Sequence, residues 1–496
     1  MPFFREPAKS AVLQVCIGLL AVLLAGCTVG PNYKRPAAAV PAKWDISPPW
    51  READPRDSVP KTEWWSLFHD GDLNGLETQL LAENQTLAVS IATLEQARAA
   101  AQVQNATLFP TVTVNPTVGG QRYSANRSTG SNVALTNAIQ GSYVIPFNVS
   151  YEVDLVGKRR RTIEAAQAAY QANAADLENV RLLLTSELAA DYFTLRQLDT
   201  EIAILTRTVE ALQKGLDLVN SRHTGGLASG LDVAQEETLL NTTRTQATLL
   251  VQQRKQFEDA IAVLVGKPAP EFHLAVRELS AEPPNIDATV PSDVLERRPD
   301  IAEAERRMAV ANAQIGIAKA AYYPSLTLFG QGGWNSADIS TLLNASSAFW
   351  AVGANVAQDI FSGGAVRAGV HYSQAGYDGS VAQYRGTVLN AFREVQDNVT
   401  GLQVLGSARQ SQADAVAAAR RQLDLANSRY VGGLVSYLDV VSAQQNLLSN
   451  EQEAAVIQGQ RLVTSVLLVK ALGGGWDAAS LNAVHVKPQL KDLVTP

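Results

Sequence analysis

Two stretches of 67 residues, 157–223 and 364–430, contain no proline. At about 1.5 Å per residue each reads as a helix of roughly 100 Å. Helices of globular proteins average only about three turns. A helix this long needs partners along its whole length, packed in coiled-coil fashion. The alanine-rich pattern allows those partners to come close.

The two stretches are copies of one another. "HTGGLASGLDV" at 223–233 returns as "YVGGLVSYLDV" at 430–440, and "LDLVNSR" at 216–222 returns as "LDLANSR" at 423–429, each 207 residues on. Upstream, "LFPTVTV" (108–114) meets "YYPSLTL" (322–328) at a shift of 214. The changed shift places a length difference in the Ser-, Asn- and Gly-rich segment between 114 and 148, which reads as a surface loop. So long a period is a doubled half-structure rather than a solenoid.

Each half has one plan. A helical pattern (72–107, then 292–323) leads to a strand hairpin (about 110–154, then about 324–361). The long helix follows, then a Gly-Gly tip (224–230, then 431–437) and a returning helix (231–265, then 438–472). Two short helices end to end match one long one in length. The segments 27–70, 267–290 and 473–496 are left to meet near mid-length as a belt, where Trp64, Trp65 and Phe68 read as packing residues.

In "YVIPFNVSYEV" (143–153), Tyr143, Ile145, Phe147, Val149, Tyr151 and Val153 share one face. Pro146, Asn148, Ser150 and Glu152 share the other. This suits a membrane barrel strand with lipid outside and water inside, or a half-buried strand of a soluble sheet. Four strands cannot close a barrel, and open edges cannot sit in lipid. A barrel would need several chains in cyclic symmetry; eight or twelve strands both satisfy that argument.

The N-terminus reads as a processing segment. Arg5 and Lys9 precede an uncharged run, 11–25, too short to span a bilayer. It ends in "LAGC", a lipobox, which makes 1–26 a signal peptide and Cys27 the site of a covalent lipid. The second cysteine, Cys16, leaves with the signal. Residue 28 is Thr rather than Asp, which by resemblance to Gram-negative lipoproteins directs the anchor to the outer membrane.

Several function classes find little support. A net charge of −7 argues against a nucleic-acid binder. The five histidines, at 69, 223, 273, 371 and 485, lack metal-ligand spacing. "VGKP" (265–268) lacks the residues of a phosphate loop. "GGG" (473–475) reads as a helix terminator. "RRPDIAEAE" (297–305) reads as a helix start, with Pro299 in the first turn and acids at its positive end.

At the tips, Gly225 and Gly226, and Gly432 and Gly433, are expected to supply the left-handed conformation that ends a helix. Ser229 with Asp232, and Ser436 with Asp439, have capping-box spacing. "GKRRR" (157–161) brings Lys158, Arg159, Arg160 and Arg161 to the edge of the strands, as a solvated charge run or as a contact for lipid phosphates.

These pieces resemble the TolC-type outer-membrane factors, specifically the lipoprotein (NodT-like) branch of resistance-nodulation-division efflux systems. "GCTVGPNYKRP" (26–36), "PSDVLERRPDIAEAERRMAVANAQIGIAKAAYYPSLTL" (291–328), the two tip motifs and "VKALGGGW" (469–476) carry the resemblance. It implies an α+β membrane protein: a long α-helical coiled-coil barrel continuous with a four-stranded share of a trimeric 12-stranded β-barrel, with an internal twofold repeat. It also implies a homotrimer, a periplasmic adaptor, an inner-membrane proton-driven transporter, outer-membrane lipid as surroundings, and no cofactor beyond the lipid on Cys27. In such factors, acids near the second tip line a closed mouth. Asp439 matches one such position; Ser442 stands where a second acid often follows, and Leu438 is a candidate apolar constriction. The first tip, with Gly225, Gly226, Leu227, Ser229, Leu231 and Asp232, would face the adaptor, together with Gly432, Gly433, Leu434 and Ser436 of the second. A duct of a type I secretion system, and a non-conducting structural coiled-coil lipoprotein, are the competing readings.

Overall fold

A computed structural model describes residues 28–36, 63–122, 139–284, 297–476 and 478–486. The signal segment, Cys27 and the C-terminal residues lie outside the described residues, as do 285–296 of the linker and second half. The helices are α1 (Gly71–Glu83), α2 (Gln85–Ala106), α3 (Lys158–Thr224), α4 (Gly230–Leu264), α5 (Pro299–Ala320), α6 (Ala365–Val431) and α7 (Tyr437–Ala471). The strands are β1 (Thr111–Val114), β2 (Thr117–Gln121), β3 (Gln140–Val153), β4 (Ser325–Ser336) and β5 (Ala348–Ala357). The long helices α3 and α6 have 67 residues each, and α4 and α7 have 35 each.

The helix expected over 72–107 is two helices. Asn84 is extended, ends α1 and caps α2 by accepting from the Leu87 N–H. Its amide also donates 2.8 Å to the carbonyl of Leu264, the last residue of α4. The break therefore sits where the returning helix arrives, and one short polar side chain serves both ends. The second half has the equivalent joint at Arg298, whose guanidinium donates 3.0 Å to the carbonyl of Ala471 at the end of α7. In both halves a pair of short helices lies end to end beside a long one.

The sheet is antiparallel throughout, in the order β1–β3–β4–β5, with β2 also on β3. β1 and β2 are one interrupted strand, broken at Asn115 and Pro116, where proline removes a ladder donor. The β3–β4 pair joins the two copies. Directly paired residues share a face. One face carries Val112, Val149 and Val352, and also Phe147 and Trp350. The other carries Thr113, Asn148 and Gln331. Trp350 and Val352 are 79% and 72% exposed. An apolar band this open belongs against lipid.

The main core lies at mid-length, around Trp64, Trp65, Phe68, Tyr192, Phe193, Ile261, Tyr384 and Val466. A smaller cluster near the tips holds Leu212, Leu216, Leu240, Tyr437 and Val441.

Candidate functional site: the hairpin tips and the strand–helix junction

The α3–α4 and α6–α7 tips are built by the same hydrogen bonds. Gly226 N–H donates to His223 O and Leu227 N–H to Arg222 O, at 2.9 and 2.8 Å. Gly433 and Leu434 repeat this to Tyr430 O and Arg429 O, at 3.0 and 2.9 Å. These are Schellman closures, which need one left-handed residue. Only the second glycine of each pair supplies it: φ is +75° at Gly226 and +70° at Gly433, against −78° at Gly225 and −74° at Gly432. The expectation that both glycines of a pair are left-handed is corrected. The first stands at the C-cap, where backbone near the helical region suffices.

Both capping boxes form. Asp232 accepts from the Ser229 N–H at 2.9 Å, and Asp439 from the Ser436 N–H at 3.0 Å. The Ser436 hydroxyl adds a 2.8 Å bond to the same Asp439 oxygen. The two acids thus do the same local work. Ser442 turns its hydroxyl back onto Leu438 O at 2.8 Å. Leu227, Leu231, Leu434 and Leu438 are all exposed, so each tip presents leucines outward.

The tips differ one residue earlier. Where the first has Gly230, the second has Tyr437, which is buried. Its ring lies 5.0 Å from that of Tyr430, and the Arg222 guanidinium lies 4.8 Å over the Tyr430 ring. Tyr437 also faces Glu236 of α4. These four side chains join the two hairpins. Sequence reasoning missed them; the Gly-to-Tyr change between otherwise matching copies was the available signal.

At the strand–helix junction, the arginines are not a solvated run. Arg159 donates to Glu152 at 2.7 Å and to Thr107 O at 3.1 Å. Arg160 pairs with Asp154 at 3.2 Å. Arg161 is buried; it holds Glu164 at 2.7 Å, Asn32 Oδ1 at 2.8 Å, and the carbonyls of Val29 and Gly30 at 3.3 Å. Neither solvent nor lipid phosphate describes Arg161. Its partners are the segment just after Cys27. Lys158 is exposed, while Arg159, Arg160 and Arg161 each form an ion pair.

That segment is closely fitted. Val29 N–H donates 2.9 Å to Val156 O. A Cβ on Gly157 would lie 2.7 Å from Thr28 Cγ2, and one on Gly30 would lie 2.5 Å from Gly316 Cα. Asn312 donates to Pro31 O at 2.9 Å, and Arg35 to the Tyr384 hydroxyl at 3.2 Å. Glycine is required where these backbones touch.

At the belt, Asp199 is wholly buried, yet both its oxygens are occupied. One accepts from Arg254 at 2.6 Å, the other from Arg196 at 3.0 Å and the Arg277 N–H at 3.1 Å. Glu258 is equally engaged, by Arg254, Lys255 and the Leu274 N–H. The linker is thereby tied to α3 and α4. Among the described residues, no cluster of His, Cys, Asp and Glu is placed to hold a metal ion, and no helix is long and apolar enough to cross a membrane.

Two stacked copies of helix, hairpin and long helix, under a two-faced sheet, define an outer-membrane efflux channel fold. The family described as "Outer membrane efflux protein" matches residues 76–267 and again 290–474, one match per copy, and this chain belongs to it. It is 32% identical over 463 residues to "Probable efflux pump outer membrane protein TtgC" of Pseudomonas putida, spanning 93% of this chain and 95% of that one. It is 30% identical over 487 residues to "Outer membrane protein OprJ" of Pseudomonas aeruginosa, spanning 97% and 99%. The solved outer-membrane channel OprN superposes with a TM-score of 0.83 at 28% identity, covering 91% of this chain and all of that one.

Proposed function

We propose that this protein is a passive trimeric duct of a tripartite efflux pump, crossing the outer membrane and the periplasm, and that it catalyses no reaction. The observation that carries the reading is the two-faced sheet with unclosed edges at β1/β2 and β5. Closure in lipid requires further copies of the chain. The helices support the same arrangement. α3 buries residues along its whole length, whereas α6 buries mainly the run from Tyr384 to Leu402. The bare remainder of α6 is the face a neighbouring copy would cover. Planar-bilayer recording of the purified protein, with its mass in detergent, tests this. A trimer with a stable conductance is expected; a non-conducting monomer would sink the reading and favour a structural lipoprotein.

An adaptor and a proton-driven inner-membrane transporter would open the duct at the tips. The exposed leucines Leu227, Leu231, Leu434 and Leu438 support a protein partner there. Asp439 and Leu438, three copies of each, would narrow the mouth and make it cation-attracting, with Ser442 one turn behind. Asp439→Asn keeps a capping side chain, so unchanged cation selectivity in that variant would reject the gate assignment.

Cys27 would carry the covalent lipid. The seating of Thr28, the residue after Cys27, on Gly157 at the strand–helix junction supports this. Lys158 stands at the same level to meet lipid phosphate. Labelled palmitate should enter the wild-type chain and not Cys27→Ala.

A further inference from the structure

Glu236 lies in the contact between the two hairpins, near their tips. It is fully buried, and neither carboxyl oxygen completes a hydrogen bond. Its Oε1 and the Tyr437 hydroxyl lie 2.5 and 3.5 Å from the point where a Cβ on Gly215 would sit. Glycine at 215 is therefore what leaves room for the carboxyl against α3. From α7, Tyr437 and Gln444 face it. The Tyr430 hydroxyl and the Gln444 Oε1 are likewise buried without a partner. Around them is apolar packing: Leu212, Leu216, Leu240 and Val441. A half-satisfied polar group in an apolar contact weakens that contact. An ionised one weakens it much more, because the charge calls for water.

We propose that Glu236 is a proton-operated latch: neutral, it lets α6–α7 pack against α3–α4, and ionised, it admits water and frees the second hairpin.

The groups around it fit this use. Burial pushes the Glu236 carboxyl up, and the Tyr437 hydroxyl and Gln444 amide only partly oppose that. Burial and the Glu236 carboxyl push the Tyr437 phenol up, so it remains a hydrogen-bond donor. Asp232 and Tyr430 act on Tyr437 in the same direction. The Arg222 guanidinium stacks on Tyr430. An acid raised in the packed state favours packing when protonated. The latch is therefore fully held below the ordinary glutamate value of about 4.3. It loosens as pH rises from there through the raised value.

The latch stands on the hairpin contact alone; its effect on the mouth rests on the duct reading above. The test compares the full-length trimer with Glu236→Gln, a neutral variant of the same shape. Amide exchange over residues 437–444 is measured for both at each pH, so intrinsic rates cancel. Equal protection in acid and severalfold faster exchange of the wild type in base are expected; identical exchange at every pH would overturn the latch. Tyr437→Phe removes a group that holds Glu236 down, so its transition should move to higher pH, and a move to lower pH would equally overturn it. Conductance of the same samples should rise more steeply with pH in the wild type than in Glu236→Gln, since the Asp439 ring is common to both. A conducting pore with the same pH profile in both would reject the link to the mouth. Differential exchange without any conductance would keep the latch and sink the duct.

Discussion

Asp199 and Glu258 at the belt and Glu236 at the tip junction are all acids buried between helices, and their surroundings treat them in opposite ways. At the belt, Asp199 and Glu258 have every carboxylate oxygen paired with arginine, lysine or a backbone N–H. At the tip junction, Glu236 is faced by the neutral Tyr437 hydroxyl and Gln444 amide and completes a hydrogen bond with neither. A paired charge is stable as long as its partners remain. An unpaired carboxyl is stable only while neutral. Asp199 and Glu258 are thus placed to hold and Glu236 to let go, while Glu77, beside Leu76 and Leu80 in the belt core, is buried with both carboxyl oxygens unpaired like Glu236.

The largest expected effect follows from breaking the belt. Asp199→Ala leaves Arg196 and Arg254 buried without their shared anion, and should cost about 3–5 kcal/mol, read as a fall in the denaturant midpoint. The same substitution at Glu236 strands no buried cation and should cost far less. A comparable loss at both sites would erase the distinction.

Glycine gives a matched pair. Gly473 at the belt and Gly433 at the tip close helices by the same bonds, with φ of +92° and +70°. A Cβ at Gly473 would strike the Arg297 carbonyl, whereas at Gly433 it would meet nothing within 4 Å. Gly433→Ala should cost about 1–2 kcal/mol for the left-handed backbone alone. Gly473→Ala should cost clearly more, by thermal unfolding.

Opposite responses to pH sharpen the comparison. Burial pushes Glu258 up, but the Leu274 N–H, Lys255 and Arg254 outweigh it and hold the carboxyl below its ordinary value. Its contribution is present above the ordinary glutamate pKa and is lost as pH falls through the depressed one. Glu236 runs the other way. Acid should weaken amide protection around 254–274 while strengthening it around 437–444.

The smallest effect is at the caps. Ser436→Ala should cost about 1 kcal/mol, and Ser229→Ala about the same, since both boxes form. A much larger loss at Ser436 would mean that the second tip depends on its cap for more than helix initiation.

Features with a local cause were legible in the sequence. The proline-free runs became α3 and α6, the Ser-x-x-Asp spacing became two capping boxes, and the alternation in 143–153 became one apolar face. The break at Asn84 was not legible, because its cause is Leu264, 180 residues away. Arg161 looked like a surface charge because its partners, Val29 to Asn32, are some 130 residues distant. The same holds for Glu236, an ordinary helix-former by propensity until Gly215 and Tyr437 close over it.

The sequence by itself determined the doubled plan, the helix lengths, the tips and the face of the sheet, because each depends on periodicity or on residues a few positions apart. Tertiary structure alone decided which charges are paired, which glycine turns left-handed and which buried acids complete no hydrogen bond. Those depend on what lies across a helix contact, and a buried charge takes its properties from its neighbours in space rather than from its neighbours in the chain.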